Sequence, residues 1–145
     1  MIVIGVGNAW RGDDGAGLAV ARRLLELAPA GVEVLEVEGE ATALMDAWNG
    51  DDRVVVVDAA QSGAAAGTVR RFDARAAPLP VRFLRSSTHA FGVADAIELA
   101  RALGRLPAAL EVYAIEGATF VAGDRLTPSV ERAAEELAAH LGAPR

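Results

Sequence analysis

The chain has 145 residues, no cysteine and a formal net charge of −6, and all fourteen of its basic residues are arginines. The absence of cysteine excludes disulfides, thiolate metal sites and iron–sulfur clusters, and the absence of lysine excludes a Schiff-base nucleophile. The acidic balance argues against broad nucleic-acid binding, and the length predicts one domain, residues 1–145, with a single core.

Apolar runs alternate with amphipathic segments along the chain, a pattern typical of an α/β fold in which helices cover parallel strands on both faces. Continuous apolar runs predict four buried strands, and a fifth run of more alternating polarity predicts an edge strand. In chain order, the predicted strands span residues 1–6, 32–37, 54–58, 67–72 and 110–115, and the predicted helices span residues 15–28, 41–48, 89–103 and 129–141.

The connections carry further signals. Thr127-Pro128 predicts the start of the last helix, with the threonine hydroxyl as its cap and proline in its first turn. Residues 73–88 include two prolines and show no clear periodicity, which predicts a long functional loop. We find no leader peptide and no apolar stretch long enough to span a membrane, so we expect a cytoplasmic protein.

Acidic side chains follow two of the predicted buried strands. Asp13 and Asp14 come after the first strand and open the first helix, and Asp58 ends the third strand. Ligands of open α/β sheets bind beyond the carboxyl ends of the strands, where these side chains are expected to meet. The alternative interpretation is local: Asp13 or Asp14 caps the first helix, and Asp58 is a turn former.

A histidine follows a run of hydroxyl side chains at the predicted start of a helix. His89 comes after Ser86-Ser87-Thr88, and a helix N-terminus favours neutral imidazole, which is the metal-binding form. Together with Asp14 and Asp58 it predicts a three-ligand metal site. A merely solvated histidine is the alternative, and we assign His140 to that class because it falls in the last turn of the final helix.

Two other chemistries receive weaker support. A Ser–His–Asp triad needs a strained nucleophile turn such as Gly-x-Ser-x-Gly, which the chain lacks. Gly5-Val6-Gly7 suggests a dinucleotide-binding loop, but Trp10 stands where the third glycine belongs, and only Glu36 or Glu38 offers a ribose-binding acid. Anionic phosphates would also meet the nearby carboxylates.

Four motifs, taken in order, resemble those of the maturation endopeptidases of [NiFe] hydrogenases. The resemblance spans nearly the whole chain and extends to residues 126–130 at the start of the last helix. The turn after the second strand and residues 116–120 depart from the pattern of many relatives. The matching motifs are Gly5-Val6-Gly7-Asn8, Gly12-Asp13-Asp14-Gly15-Ala16-Gly17, Val57-Asp58-Ala59 and Thr88-His89-Ala90-Phe91-Gly92.

This resemblance implies a three-layer α/β/α sandwich with a five-stranded, mostly parallel twisted sheet and one antiparallel edge strand. It also implies a cytoplasmic endopeptidase that removes the C-terminal extension of a [NiFe] hydrogenase large-subunit precursor after nickel insertion. Nickel would be shared with the precursor rather than permanently bound. Asp14, Asp58 and His89 match the nickel-contacting residues, and Asp13 is a candidate base or orienting residue.

Carboxylate and imidazole ligands suit nickel and other first-row metals, and three protein ligands leave coordination positions open for the substrate. A metal so placed would polarise the scissile carbonyl or activate a water molecule. Two rival functions stay open at this point. One is a nickel-binding module or metallochaperone without peptidase activity, and the other is a nucleotide-dependent enzyme that uses the glycine-rich loop.

Overall fold

The computed structural model describes residues 1–38, 41–50, 52–80, 91–123 and 125–144. Within these ranges the chain forms five strands, three α-helices and two 3-10 segments. The strands are β1 Ile2–Gly7, β2 Glu33–Glu38, β3 Arg53–Ala60, β4 Val69–Asp73 and β5 Ala109–Glu116, the helices are α1 Ala16–Leu27, α2 Val93–Ala102 and α3 Pro128–Gly142, and the 3-10 segments are Gly12–Gly15 and Ala41–Ala47.

The strands form one sheet in the order β2-β1-β3-β5-β4. All neighbouring pairs are parallel except β4 and β5, which confirms the predicted α/β class and the antiparallel edge strand. Strand β1 pairs with β2 on one side and with β3 on the other, so the direction of winding reverses between β1 and β3. The carboxyl ends of these two strands flank the crevice in which such folds bind ligands.

Helices cover both faces of the sheet, which gives the three layers that the resemblance implies. Side chains alternate between the two faces along β3, so Val55 and Val57 pack with α1 and α3, whereas Val54 and Val56 pack with α2 and the segment Ala41–Ala47. Burial on both faces explains why this strand reads as an unbroken valine run rather than an alternating one.

Glycine allows α1 to lie directly against the sheet. A Cβ atom on Gly17 would lie 2.2 Å from the carbonyl oxygen of Val57 and 2.5 Å from that of Val6. A Cβ atom on Gly5 would lie 2.3 Å from the carbonyl oxygen of Gly17. These distances are far below van der Waals contact, so close strand–helix packing requires glycine at positions 5 and 17, and Gly5 is the first glycine of the suggested dinucleotide loop.

Strand β4 lies at an edge of the sheet, as the alternating pattern predicts, and both of its arginines are exposed. Arg71 forms an ion pair with Glu111 on β5. Charged side chains on an edge strand hinder pairing with other chains, so this edge is protected.

No helix in the described ranges is both long enough and apolar enough to cross a membrane.

Two predicted helices differ in their bounds or type. Residues 41–47 form a 3-10 segment rather than an α-helix. Helix α2 begins at Val93, where the Asp95 carboxylate accepts a hydrogen bond from the Gly92 N–H at 3.0 Å. The predicted cap at residues 86–88 and the predicted helix start at His89 lie outside the described residues.

Candidate active site

Four carboxylates are buried near the carboxyl edge of the sheet. Asp13 and Asp14 are 0% exposed in the 3-10 segment after β1, Asp58 is 3% exposed near the end of β3, and Glu116 is 3% exposed at the end of β5. A buried carboxylate is unfavourable unless it finds hydrogen-bond donors or a cation. The partners of each acid therefore indicate its role.

Asp13 is surrounded by donors from the loop between β5 and α3. Its Oδ1 accepts the Thr127 N–H at 2.7 Å, and its Oδ2 accepts the N–H groups of Ala118 and Thr119 at 2.7 and 3.1 Å and the Thr127 hydroxyl at 2.7 Å. Burial raises the pKa of Asp13, but the hydrogen bonds from Thr127, Ala118 and Thr119 outweigh burial and lower the pKa below its usual value. We call this arrangement the Asp13 clamp.

The clamp corrects two local interpretations of the sequence. Neither Asp13 nor Asp14 caps α1, because Gly15 occupies the N-cap and no side chain caps the helix. Thr127 occupies the N-cap of α3, but its hydroxyl donates to Asp13 instead of capping its own helix. The predicted Thr127 cap and the alternative aspartate cap were both wrong, and for Asp13 and Thr127 a partner distant in sequence replaced the local one.

Glu116 holds the turn that follows β3. Its two carboxylate oxygens accept the Ser62 N–H at 2.9 and 3.1 Å, and the Ser62 hydroxyl donates to Oε1. The Gly117 N–H donates to the carbonyl oxygen of Ala60 at 2.9 Å. Glu116 was not among the site residues predicted from the sequence, although the signal was present: like Asp58, it is an acid that ends a buried apolar strand.

Replacing Ser62 with alanine is expected to lower the free energy of unfolding by about 1–2 kcal/mol, because the buried Glu116 carboxylate loses its hydroxyl donor. Chemical denaturation of both proteins measures the difference. Thr42→Ala is the control, since Thr42 is exposed, and it should change stability by less than about 0.5 kcal/mol. Equal effects of the two substitutions would contradict this role for Ser62.

Among the described residues, Asp58 has fewer hydrogen-bond donors around it than Asp13. Its Oδ1 accepts the N–H of its neighbour Ala59 at 2.8 Å. Burial, followed by the negative charge of Asp14, raises the pKa of Asp58 well above its usual value. The negative charge of Asp14 therefore acts on Asp58 inside the protein, and a cation bound near both carboxylates would relieve that repulsion. Carboxylate donors suit a divalent metal, so the pair fits one.

The third predicted ligand, His89, lies outside the described residues, as do Ser86, Ser87 and Thr88. Among the residues that are described, no group of three His, Cys, Asp or Glu side chains lies close enough to hold a metal. The three-ligand site therefore stays a prediction. His140 is exposed in the last turn of α3, as the sequence indicated, roughly 20 Å along that helix from the clamp at Thr127.

These features define a class: an α/β/α sandwich with an acidic, cation-suited centre where the winding of its sheet reverses. Comparisons with known proteins then give the family. The family model described as hydrogenase maturation protease, HycI, matches residues 19–142. The chain belongs to the hydrogenase maturation protease family, and it is a peptidase. Both were expected from the sequence motifs and are confirmed.

Individual relatives are similar to this chain over nearly its whole length, in sequence or in fold. The chain is 26% identical to the hydrogenase expression/formation protein HupD of Thiocapsa roseopersicina over an alignment of 149 positions that covers 95% of this chain and 67% of HupD. It resembles the hydrogenase maturating endopeptidase HybD from E. coli with a TM-score of 0.79 and 24% identity, over 97% of this chain and 88% of HybD. It resembles HybD from Thermococcus kodakarensis with a TM-score of 0.72 and 26% identity, over 98% of each chain.

Proposed function

We propose that this protein removes the C-terminal extension of a [NiFe] hydrogenase large-subunit precursor after nickel has been inserted, and that it recognises the nickel that the precursor carries. The observation that supports this most is the buried pair Asp14 and Asp58 where the winding reverses. Two buried carboxylates that repel each other destabilise a fold, and such strain is typical of functional sites.

In this proposal the nickel is part of the substrate. Asp14, Asp58 and His89 would bind it from the enzyme side and leave its other positions to the precursor. Bound nickel would supply positive charge beside the scissile carbonyl. The cleavage site would thereby be held at the edge of the sheet only when the precursor is loaded, which makes cleavage a checkpoint for metal insertion.

Asp13 has an orienting role in this proposal rather than that of a general base. An ionised carboxylate offers about four lone-pair sites, and Asp13 accepts four hydrogen bonds from the β5–α3 loop. Its lowered pKa also makes it a weak proton acceptor. It holds the turn that presents Asp14 to the substrate.

The partner in this proposal is a protein, and neither nucleic acid nor a membrane takes part. The acidic composition, with a net charge of −6, is unsuited to nucleic acid. A cysteine-free chain fits the reducing cytoplasm, where we place the reaction.

The test is the intact mass of a nickel-loaded precursor after incubation with the wild-type protein or with Asp14→Ala, Asp58→Ala or His89→Ala. We expect the wild-type protein to release a C-terminal peptide, and each variant to do so at least about 100-fold more slowly. His140→Ala and Asp46→Ala are matched controls on exposed residues and should cleave at the wild-type rate.

Two outcomes would contradict the proposal. If the wild-type protein leaves the precursor intact but binds nickel through the same three side chains, the protein acts as a nickel-binding module instead. If the three variants cleave as fast as the wild-type protein, the peptidase site lies elsewhere in the chain. Calorimetric titration of each purified variant with nickel sulfate separates these outcomes.

A further inference from the structure

Thr127 donates two hydrogen bonds to Asp13, the residue that precedes Asp14. Its N–H donates to Asp13 Oδ1 and its hydroxyl donates to Asp13 Oδ2, both at 2.7 Å. In return, the Asp13 N–H donates to the carbonyl oxygen of Thr119 at 2.8 Å. The 3-10 segment Gly12–Gly15 is thus bound to the β5–α3 loop through backbone and side-chain bonds.

The same segment is held from the side of β1. The Asn8 N–H donates to the carbonyl oxygen of Asp14 at 3.2 Å. Gly7 has φ +151°, and a Cβ atom there would lie 2.0 Å from that carbonyl oxygen. The backbone of Asp14 therefore lies against the end of β1, while its neighbour Asp13 is hydrogen-bonded to the β5–α3 loop. Movement of either contact would move the Asp14 carboxylate.

The hydroxyl of Thr127 forms a hydrogen bond to Asp13 rather than the usual one to its own helix. At an N-cap a threonine hydroxyl ordinarily accepts a hydrogen bond from its own helix. Here no such bond forms, and the hydroxyl donates to Asp13. The donor at Thr127 is therefore directed at the turn that carries Asp14.

We propose that Thr127 is a positioning residue for the cleavage reaction, acting through Asp13 on the placement of Asp14. This rests on the proposed function in so far as Asp14 contacts the precursor's nickel. A carboxylate must be held within a fraction of an ångström to bind a metal productively, and residues that orient metal ligands typically affect rates by about 10- to 100-fold.

The test compares Thr127→Val, which keeps the shape but removes the hydroxyl donor, with Thr127→Ser, which retains the donor. Ser129→Ala is the matched control, because it removes a hydroxyl from the same helix end outside the clamp. Hydrogen exchange of the peptide that covers residues 12–15 is measured without substrate. The kcat and KM for nickel-loaded precursor are measured at a temperature at which all proteins are fully folded.

We expect Thr127→Val to speed exchange in residues 12–15 and to lower kcat about tenfold, with KM changed by less than about twofold. Thr127→Ser should lie within about twofold of the wild-type protein in both measurements. Ser129→Ala should match the wild-type protein. If Thr127→Val does not fold, Thr127→Ala takes its place.

A purely structural Thr127 would overturn the inference. In that case Thr127→Val lowers the melting temperature but leaves kcat and the exchange of residues 12–15 unchanged, or Thr127→Ser is as impaired as Thr127→Val. A wild-type protein that does not cleave the precursor refutes the proposed function instead. The exchange measurement needs no substrate, so it still decides whether Thr127 holds the Asp14 turn.

Discussion

Replacing Asp58 with asparagine is expected to slow precursor cleavage at least about 100-fold without lowering the stability of the fold. The substitution removes a negative charge from the pair that we propose binds nickel. It also removes the cost of burying the Asp58 charge and the repulsion from Asp14, the two causes that raise the pKa of Asp58. Loss of activity with unchanged or increased stability is typical of a residue kept for function.

The difference in stability between the Asp58→Asn variant and the wild-type protein should depend on pH in a defined direction. Burial and Asp14 raise the pKa of Asp58, so the folded protein holds its proton more tightly than the unfolded chain. The stability due to this proton is fully present below about pH 4 and is lost as pH rises through the raised pKa. Asp58→Asn should therefore match the wild-type protein near pH 4 and equal or exceed its stability at pH 7.

Denaturation at the two pH values, with a chelator present, measures this difference, and cleavage of the precursor measures activity. Asp73→Asn is the matched control, because Asp73 also ends a strand but is exposed. It should cleave at the wild-type rate. An Asp58→Asn variant that is clearly destabilised at pH 7, or one that still cleaves normally, would contradict the assignment.

Replacing Asp13 with asparagine should, unlike Asp58→Asn, destabilise the fold. We expect a loss of about 3 kcal/mol in the free energy of unfolding at pH 7. The carboxylate accepts four hydrogen bonds in the clamp, and an amide cannot accept all four. Hydrogen bonds to a charged group are the stronger kind, and the donors left unsatisfied are partly buried. Denaturation of both proteins gives the value directly.

The contribution of Asp13 to stability also depends on pH in the opposite direction to that of Asp58. Hydrogen bonds lower the pKa of Asp13 despite its burial, so its contribution is present above about pH 4 and is lost as pH falls through the lowered pKa. The gap between the wild-type protein and Asp13→Asn should therefore narrow in acid. Asp95→Asn, which alters a single hydrogen bond at the start of α2, should cost less than about 1 kcal/mol. An equal cost for both variants would rule out the clamp as a major source of stability.

Local sequence patterns predicted most of the fold because the burial of a strand determines its pattern of apolar residues. The valine run of β3 indicated a strand buried on both faces, and the alternating run at β4 indicated an edge. Asp58 was found because a buried strand delivers its terminal acid to a fixed place. Glu116 ends β5 in the same way and could have been found by the same reasoning.

The division of roles among the buried acids could not be predicted from the sequence. The donors that surround Asp13 come from Ala118, Thr119 and Thr127, which lie 105 to 114 positions later in the chain. Local rules favour an aspartate at a helix start as a cap and a threonine before proline as another cap. The fold brings Asp13 and Thr127 together instead, and Thr127 donates hydrogen bonds to the Asp13 carboxylate.

The central claim is that this peptidase cleaves a hydrogenase precursor only when nickel is present. The most direct measurement is the intact mass of one large-subunit precursor, prepared with and without nickel, after incubation with the wild-type protein. We expect loss of a C-terminal peptide from the nickel-loaded precursor and an unchanged mass for the metal-free precursor. Equal cleavage of both forms, or of neither, would contradict it.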